Sequence, residues 1–462
     1  MDNKSTKEIG RRDFLKLAGI GTVAAGAALA GCKPRTAAAT AASAEDASKR
    51  GEMTYRVNHN SGDKVSLLGY GCMRWPLRKK ADGRGEEVDQ ETVNQLVDHA
   101  IENGVNFFDT APVYVRGWSE TATGIALKRH PREKFFISTK LSNSRTDTPP
   151  TLEDGIAMYR KSLKNLQVDY IDYYFLHNIG KSIEIFEDRF IKNGLLDFLL
   201  QERQAGRIRN LGWSFHGIAE AFDHILNLDV KWDFVMIQLN YQDWQHATGM
   251  NINAQYLLGE LEKRNIPVII MEPLLGGRLA RVTPQAFQLM KEMHPDDTPA
   301  QWALRYAGTP ESVITVLSGM VYMEHLQENL RTYSPLKPLN DAEYKLLEKV
   351  TDILVNNDYI QCTECQYCMP CKYGIDIPGV FGHYNRIASS DLRLKSSTDA
   401  NYKKARQAFL VGYDRTVPKL RQAAHCIGCD LCKPLCPQKI DIPKEMQRVD
   451  LYAENLRRNM KF

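Results

Sequence analysis

The sequence predicts an α/β protein, in which a (β/α)8 TIM barrel precedes a smaller, mostly helical C-terminal domain. Between residues 53 and 335, short β-branched or aromatic runs alternate eight times with helical-period segments. Eight such units over about 280 residues suit a closed parallel barrel. An open doubly wound sheet would need a G-x-G-x-x-G motif after its first strand, and none occurs there. Eight of the ten cysteines lie between residues 362 and 436, which indicates a metal-binding domain.

Composition and charge exclude two functional classes. The 462 residues are 43% hydrophobic and 25% charged, with a formal net charge of +4. This is an ordinary globular composition, and a nucleic-acid-binding protein should carry a much larger basic excess. The body of the chain has no run of about 18 uncharged apolar residues, so it is not a polytopic membrane protein.

Residues 1–32 resemble an export signal. Arg11 and Arg12, followed by Asp-Phe-Leu-Lys, precede a mildly apolar segment from Leu17 to Gly31, as in signals of the twin-arginine route. The alternative is an amphipathic N-terminal helix that contains two arginines. Export by this route predicts a periplasmic protein, or one anchored on the extracytoplasmic side of the membrane.

The end of this segment indicates how the chain is processed. The sequence Leu-Ala-Gly-Cys ending at Cys32 resembles a lipoprotein cleavage box, and a lipid on Cys32 would then be the only membrane contact. Cleavage between Ala37 and Ala39 is the alternative. Residues 33–52 are rich in Ala, Ser, Thr and charge and are predicted to form a flexible linker. The barrel is predicted at residues 53–340 and the C-terminal domain at 341–462.

The barrel elements follow from periodicity and from helix-end signals. Thr151 with Asp154 three residues later predicts a helix N-cap, and Gly104 and Gly206 stand where helices end in a left-handed residue. The predicted strands are Ser66–Met73, Asn106–Ala111, Phe135–Leu141, Tyr170–Asn178, Ile208–His216, Phe234–Tyr241, Pro267–Leu274 and Val313–Gly319. The predicted helices are Glu91–Gly104, Ser119–His130, Thr151–Gln167, Gly194–Gly206, Ile218–Leu228, Asn251–Asn265, Thr298–Gly308 and Glu324–Tyr333.

Polar residues mark the carboxyl ends of these strands, where barrel enzymes place their chemistry. The strand ends carry Asp109, Lys140, His177, Ser214, Gln238 and Glu272, and Tyr114 follows in the loop after Asp109. We expect Tyr114 to donate a proton, with the Lys140 ammonium lowering its pKa. Asp109 would keep Lys140 charged, and His177 would orient a substrate carbonyl. Each residue alone could instead form a structural ion pair or a satisfied core contact.

These segments resemble the catalytic tetrad of the aldo/keto reductases. The matching stretches are residues 106–114 (NFFDTAPVY), 137–140 (ISTK), 174–177 (YFLH) and 68–74 (LGYGCMR). The resemblance covers residues 54 to 335. It implies that Tyr114 is the proton donor, that Lys140 and Asp109 tune it, and that His177 positions the carbonyl. It also implies NADPH lying across the barrel mouth.

The resemblance further assigns a coenzyme site, in which this chain departs from the family. Ser214 and Gln238 would bind the nicotinamide carboxamide, residues 271–277 with Pro273 and Leu274 would hold the pyrophosphate, and Glu328 and Asn329 would contact the adenine. Met271 replaces the usual stacking aromatic. The segment from Leu317 through Ser318 to His325 offers no lysine or arginine for the 2′-phosphate. NADPH should therefore lose its advantage over NADH, and use of either coenzyme is in doubt.

The cysteines form two motifs that predict two 4Fe-4S clusters. In such motifs three cysteines bind one cluster and the fourth binds its neighbour. One cluster would take Cys362, Cys365, Cys368 and Cys436, and the other Cys426, Cys429, Cys432 and Cys371. Each motif is followed by Ile-Asp-Ile-Pro, an internal repeat, and the long interval between motifs resembles that of helical ferredoxins. Two zinc sites and disulfides are the alternatives.

Three functions are compatible with this combination, which resembles the ferredoxin-fused branch of the aldo/keto reductases. The first is a carbonyl or alcohol oxidoreductase whose clusters exchange electrons with a redox partner protein or a quinone-linked donor. The second is an NAD(P)H-dependent reductase with structural clusters. The third is a non-catalytic electron-transfer or binding protein. The first is preferred because free nicotinamide coenzyme is confined to the cytoplasm. In each case the expected ligand is a small carbonyl or alcohol.

Overall fold

A computed structural model describes residues 51–143, 150–394, 396 and 398–458. Within them, eight parallel strands close into a barrel in chain order, and the first strand pairs with both the second and the last. The strands are β1 Leu68–Gly71, β2 Phe107–Asp109, β3 Phe136–Leu141, β4 Ile171–Ile179, β5 Ile208–Phe215, β6 Phe234–Gln238, β7 Val268–Met271 and β8 Val313–Ser318. The prediction of a closed (β/α)8 barrel is confirmed, since each of the eight predicted strands contains its observed counterpart or overlaps it.

The strands form because their side chains are buried on both faces. All nine residues of β4 and all six of β8 are buried, which is why these strands appear in the sequence as mostly apolar or aromatic runs. Phe107, Tyr173, Phe175 and Phe234 meet in a core of their own. Their rings pack edge to face, with centroids 4.6 to 5.1 Å apart. The barrel is therefore filled, and only its ends are open to a ligand.

Helices surround the barrel. The α-helices of residues 90–355 are Gln90–Glu102, Ser119–Leu127, Leu152–Leu166, Ile183–Phe186, Leu195–Gln204, Ala219–Leu226, Asp243–His246, Ala254–Lys263, Pro284–Met293, Pro299–Gly308, Met323–Tyr333 and Asp341–Val355. Thr151 and Asp154 form the reciprocal capping box that the sequence predicts. Gly104 and Gly206 have φ of +88° and +75°, so both predicted C-caps are confirmed.

Several elements carry no strong sequence signal. Two short hairpins pair Tyr55–Val57 with Lys64–Ser66 and Leu77–Lys79 with Glu86–Val88, and a π-helical turn covers Glu187–Ile191. Short 3-10 turns lie at Cys72–Arg74, Tyr114–Gly117, Arg132–Lys134, Leu275–Gly277, Lys419–Arg421, Ala423–His425 and Lys433–Leu435. Such brief elements are set by tertiary contacts more than by periodicity.

The C-terminal region is helical, with long helices at Ile377–Ala388, Tyr402–Thr416 and Ile442–Arg458. They enclose a second hydrophobic core that begins at Ile360 and includes Phe381 and Phe409. The preceding helix, Asp341–Val355, instead contributes its apolar side chains to the barrel core. The cysteine-rich segments therefore rest on a core of their own.

The predicted export signal with Arg11 and Arg12, the lipid site at Cys32 and the linker to residue 50 lie outside the described residues. Among the residues that are described, no helix has both the length and the apolar character needed to cross a bilayer.

Candidate active site

Asp109 and Lys140 form a buried ion pair at the carboxyl end of the barrel. Asp109 ends β2 and Lys140 lies one residue before the end of β3, so the parallel register brings the two side chains to the same mouth. Lys140 Nζ lies 2.5 Å from Asp109 Oδ1 and also donates to the carbonyl of Thr110 at 2.8 Å. Ser138 Oγ donates to Asp109 Oδ1 at 2.5 Å. Two charges in this position are stable only as a pair, because neither reaches water.

Tyr114 lies next to this pair. It begins the turn after β2, and the two residues that follow it, Val115 and Arg116, have φ of +49° and +57°. Such backbone strain costs free energy and persists only where surrounding contacts impose it. Lys140 Nζ stands 4.9 Å from the centre of the Tyr114 ring. The His177 ring lies 6.0 Å from that ring and nearly perpendicular to it. The structure thus brings together all four residues of the predicted tetrad.

Burial controls the protonation of these groups. It raises the pKa of Tyr114 well above its ordinary value, and the nearby carboxylates of Asp109 and Glu272 act in the same direction. The prediction of a lowered pKa for Tyr114 is therefore wrong, because burial dominates its environment. Burial also lowers the pKa of Lys140 and raises that of Asp109, while their contact opposes both shifts. A phenol that stays neutral at physiological pH is the form required of a proton donor.

His177 is held from two sides. Its Nδ1 is hydrogen-bonded to Ser142 Oγ at 2.5 Å, and its Nε2 to the hydroxyl of Tyr367 at 3.3 Å. Arg189 donates to the His177 backbone carbonyl at 2.7 Å. Tyr367 belongs to the first cysteine motif and is 190 residues away in sequence, and the sequence analysis missed it. No local signal could have found it, because the contact depends on how the two cores pack.

A small pocket of about 30 Å³ opens beside His177. From the barrel it is lined by Val113, Ser142, His177, Asn178 and Lys181. Its remaining wall comes from Tyr367 and Leu435 in the cysteine-rich region. A pocket of this size admits only a small group, since ordinary ligand sites measure several hundred cubic ångströms.

The predicted coenzyme residues are mostly buried and engaged by other protein groups. Ser214 Oγ accepts a hydrogen bond from a backbone N–H at 2.9 Å. Gln238 donates to Asp243, and its own Oε1 has no partner among the described residues. Asn329 Nδ2 donates to Ser318 Oγ at 3.0 Å. The structure therefore brings Ser318 and Asn329 together, but through a bond to each other.

The remaining predicted coenzyme residues lie near the loop after β7 and on the helix Met323–Tyr333. Met271 ends β7 and is half-buried, Pro273 is buried, and Leu274 packs against the barrel core. Glu328 accepts a hydrogen bond from the hydroxyl of Thr298. None of these contacts by itself prevents coenzyme binding.

The pyrophosphate loop itself does not fit a dinucleotide, because the chain's own C-terminal segment lies against it. A Cβ atom on Gly276 would stand 2.2 Å from the carbonyl oxygen of Thr363. Arg74 donates to that same oxygen at 2.5 Å, and Arg278 donates to the side chain of Gln361 at 2.6 Å. Thr363 therefore occupies the space beside Gly276. Arg74 and Arg278, the two cations that could contact a pyrophosphate, are already hydrogen-bonded to Thr363 and Gln361 of the same chain.

The eight clustered cysteines gather into two groups, around Cys362 and around Cys432. Burial and the neighbouring thiols of Cys365 and Cys436 raise the pKa of Cys362. Burial raises the pKa of Cys432 to about 11, and its neighbouring thiols are Cys426, Cys429 and Cys371. The fourth cysteine of each motif therefore lies beside the other motif.

Each group has four cysteines, the number of thiolate ligands that a 4Fe-4S cluster takes. Within the described part of the chain, no three His, Cys, Asp or Glu side chains are grouped so as to hold a single metal ion. No disulfide joins any of these thiols in the described residues.

A closed parallel barrel with a Tyr, Lys, Asp and His site at its carboxyl mouth defines a TIM-barrel oxidoreductase. Residues 67–352 match the model of the aldo/keto reductase family, and the chain belongs to this family.

Individual relatives are more distant. The chain is 33% identical over 158 residues to a probable aldo-keto reductase of soybean, covering 33% of this chain and 42% of that protein. It is 26% identical to L-galactose dehydrogenase of Arabidopsis thaliana over 323 residues, covering 65% and 93% of the two chains. A Klebsiella pneumoniae aldo-keto reductase solved in complex with NADPH aligns with a TM-score of 0.50 and 18% identity, over 65% of this chain and 95% of that one.

Proposed function

We propose that this protein interconverts a carbonyl and an alcohol at the tetrad, with electrons exchanged through two 4Fe-4S clusters rather than a nicotinamide. The observation that carries the proposal is the 3.3 Å contact between His177 and Tyr367. It links the barrel's reaction site to the segment between Cys365 and Cys368. We further propose that the protein is exported by the twin-arginine route, and that its electrons come from a redox partner protein or a quinone-linked donor.

The chain's own residues bind the substrate and move one proton. Tyr114 donates a proton to the carbonyl oxygen, and the buried Lys140–Asp109 pair offsets the negative charge that develops there. His177 fixes the direction of the carbonyl through its Nε2 atom, because Ser142 holds the other ring nitrogen. When bound, the clusters would supply or accept electrons one at a time.

Single-electron supply limits the class of substrate. Reduction of a carbonyl to an alcohol consumes two electrons, one of which each cluster would supply, and two protons, of which Tyr114 gives one to the oxygen and solvent gives the other to the carbon. Iron–sulfur clusters work at potentials between about −700 and +450 mV. A carbonyl accepts a single electron near the lower end of that range when a second carbonyl is conjugated with it, because the unpaired electron is then spread over both carbonyl groups. We therefore propose a small conjugated carbonyl, such as a vicinal diketone.

An NAD(P)H-dependent reductase with structural clusters is the second candidate. The assembled tetrad and the NADPH found in the Klebsiella relative favour it. The occupied loop at Gly276 opposes it. A non-catalytic electron-transfer or binding protein is a third candidate, and the geometry of the tetrad argues against it.

The test is a coenzyme titration of the mature protein, prepared anaerobically with its iron content measured. We expect no binding of NADPH or NADH at millimolar concentration, as followed by nicotinamide fluorescence. We also expect reduction of a vicinal diketone by the chemically reduced protein. Micromolar binding of either coenzyme, with coenzyme-driven turnover, would instead establish the second candidate.

One variant separates the candidates further. Cys429 is the most exposed of the eight cysteines and belongs to the group of Cys426, Cys432 and Cys371. Cys429→Ala should abolish turnover that uses cluster electrons. If the clusters are only structural, the same variant should lower thermal stability and leave coenzyme-driven turnover close to that of the unmodified protein.

A further inference from the structure

We propose that the cysteine-rich region completes the substrate site, with the Tyr367 hydroxyl bonding the substrate carbonyl oxygen and Tyr367 and Leu435 together limiting substrate length. This inference rests on the proposed function and adds a positioning residue and a specificity wall to it. Both residues lie beside predicted cluster ligands, yet both line the pocket next to His177.

The Tyr367 hydroxyl and the His177 imidazole meet at the pocket, where both can bond one substrate atom. The Tyr367 hydroxyl lies 3.3 Å from His177 Nε2, and Ser142 fixes the imidazole from its other nitrogen. A carbonyl oxygen has two lone pairs, so it can accept from the Tyr367 phenol and the His177 imidazole together, and it gains a third lone pair for the proton from Tyr114 as negative charge develops on it. A bound substrate would replace the bond between these two side chains with one bond to each.

Tyr114 and Tyr367 are suited to different roles. The rings of Tyr114 and Tyr367 flank the His177 imidazole, with centroids 6.0 and 6.5 Å away and both nearly perpendicular to it. Tyr114 is the one packed on the Lys140 ammonium, which suits it to transfer the proton. Tyr367 comes from the cysteine-rich region and lines the pocket, where it can hold the substrate in place.

The pocket is small, and residues of the cysteine-rich region set its length. The pocket of about 30 Å³ is closed on one side by Tyr367 and Leu435, while Val113 lies on the barrel side. Leu435 is 41% exposed, so its side chain can be shortened without opening a cavity in the core. Removing atoms from this wall should therefore lengthen the pocket and leave the fold intact.

The hydrogen bond is tested with Tyr367→Phe, which keeps the ring and removes the hydroxyl. Tyr373→Phe is the matched control, because Tyr373 lies two residues after Cys371 and is 49% exposed. With butanedione as the substrate, Tyr367→Phe should raise KM about 3- to 10-fold with kcat nearly unchanged. The dissociation constant of isobutyramide, a carbonyl mimic that is not reduced, should rise by the same factor in calorimetry on the oxidised protein.

The wall is tested with Leu435→Ala and Tyr367→Ala, with Leu420→Ala as the control because Leu420 is 80% exposed. Relative to butanedione, kcat/KM for hexanedione should rise about tenfold in the two wall variants and stay constant in the control. Iron content and the visible spectrum must match the unmodified protein, so that altered clusters are not mistaken for altered specificity.

The outcomes distinguish this inference from the proposed function. If the unmodified protein reduces diketones but Tyr367→Phe and Leu435→Ala behave like their controls, the specificity wall is refuted and the proposed function stands. If the unmodified protein contains its iron but reduces no member of the series, the proposed function fails and this inference fails with it.

Discussion

Replacing Gly276 with alanine should uncouple the cysteine-rich region from the barrel without touching the tetrad. Gly276 has φ of +66°, and its added Cβ would stand 2.2 Å from the Thr363 carbonyl oxygen. Ordinary contact begins at 3.4 Å, so Thr363 must retreat by about 1.2 Å, and it is backbone that has to move. Thr363 lies directly after Cys362 and four residues before Tyr367, so the displacement reaches both.

The size of the effect follows from this distance. A misplacement of about 1 Å can cost a catalysed reaction about 100-fold, and we expect that loss in kcat for diketone reduction by the chemically reduced protein. Gly277→Ala is the matched control. Its φ is +98°, so it carries a similar left-handed strain of about 1–2 kcal/mol, but the atom nearest to its Cβ is 3.8 Å away.

The assay compares steady-state kcat, iron content and thermal midpoint for both variants. If displacing Thr363 disturbs the active site, Gly276→Ala should lower kcat far more than Gly277→Ala does, at similar thermal midpoints. Equal kcat values in the two variants would refute it, because Thr363 would then have moved without consequence for the reaction.

Tyr114→Phe should lower kcat at least about 100-fold with unchanged iron content, because it removes the proton donor; unchanged turnover would refute this role. Asp109→Asn should lower the free energy of unfolding by about 3–5 kcal/mol, because it leaves the Lys140 ammonium buried without its partner. Denaturant midpoints measure this effect. Ser138→Ala removes only the hydroxyl that donates to Asp109 and should lower the free energy of unfolding clearly less. Burial lowers the pKa of His383 from its ordinary value of 6.5 to about 4. Between these two pH values the unfolded chain binds more protons than the folded chain, so the free energy of unfolding should fall as the pH drops from about 6.5 to 4. Calorimetry should show a weaker pH dependence in His383→Phe.

The barrel could be predicted because its signals are local. A strand such as β4, with nine buried residues, is mostly apolar or aromatic, and a capping box such as that of Thr151 and Asp154 spans four residues. The positions of Asp109 and Lys140 also follow from topology alone, since parallel strands bring their carboxyl ends to one edge.

The contacts between the two cores could not be predicted. The Tyr367–His177 and Thr363–Gly276 contacts join residues that no periodicity relates, and they depend on how the second core sits on the barrel mouth. The pKa of Tyr114 was misjudged for a similar reason. A nearby ammonium is visible as a lysine at a strand end, but the degree of burial that outweighs it emerges only from the packed structure.

Coenzyme binding at the predicted pyrophosphate loop would compete with docking of the cysteine-rich segment. A dinucleotide that lay along residues 274–277 would displace Thr363 and Gln361, and would break their hydrogen bonds to Arg74 and Arg278. Bonds to charged donors contribute about 1.5–3 kcal/mol each. Breaking both costs about 3–6 kcal/mol, or a factor of about 100 to 10,000 in affinity. Contacts between the pyrophosphate and the freed arginines would recover part of this cost, but only after the segment carrying Cys362 and Cys365 had left the barrel. A coenzyme that bound tightly would therefore separate the tetrad from its proposed source of electrons, so under the proposed function the two modes of electron supply would exclude each other.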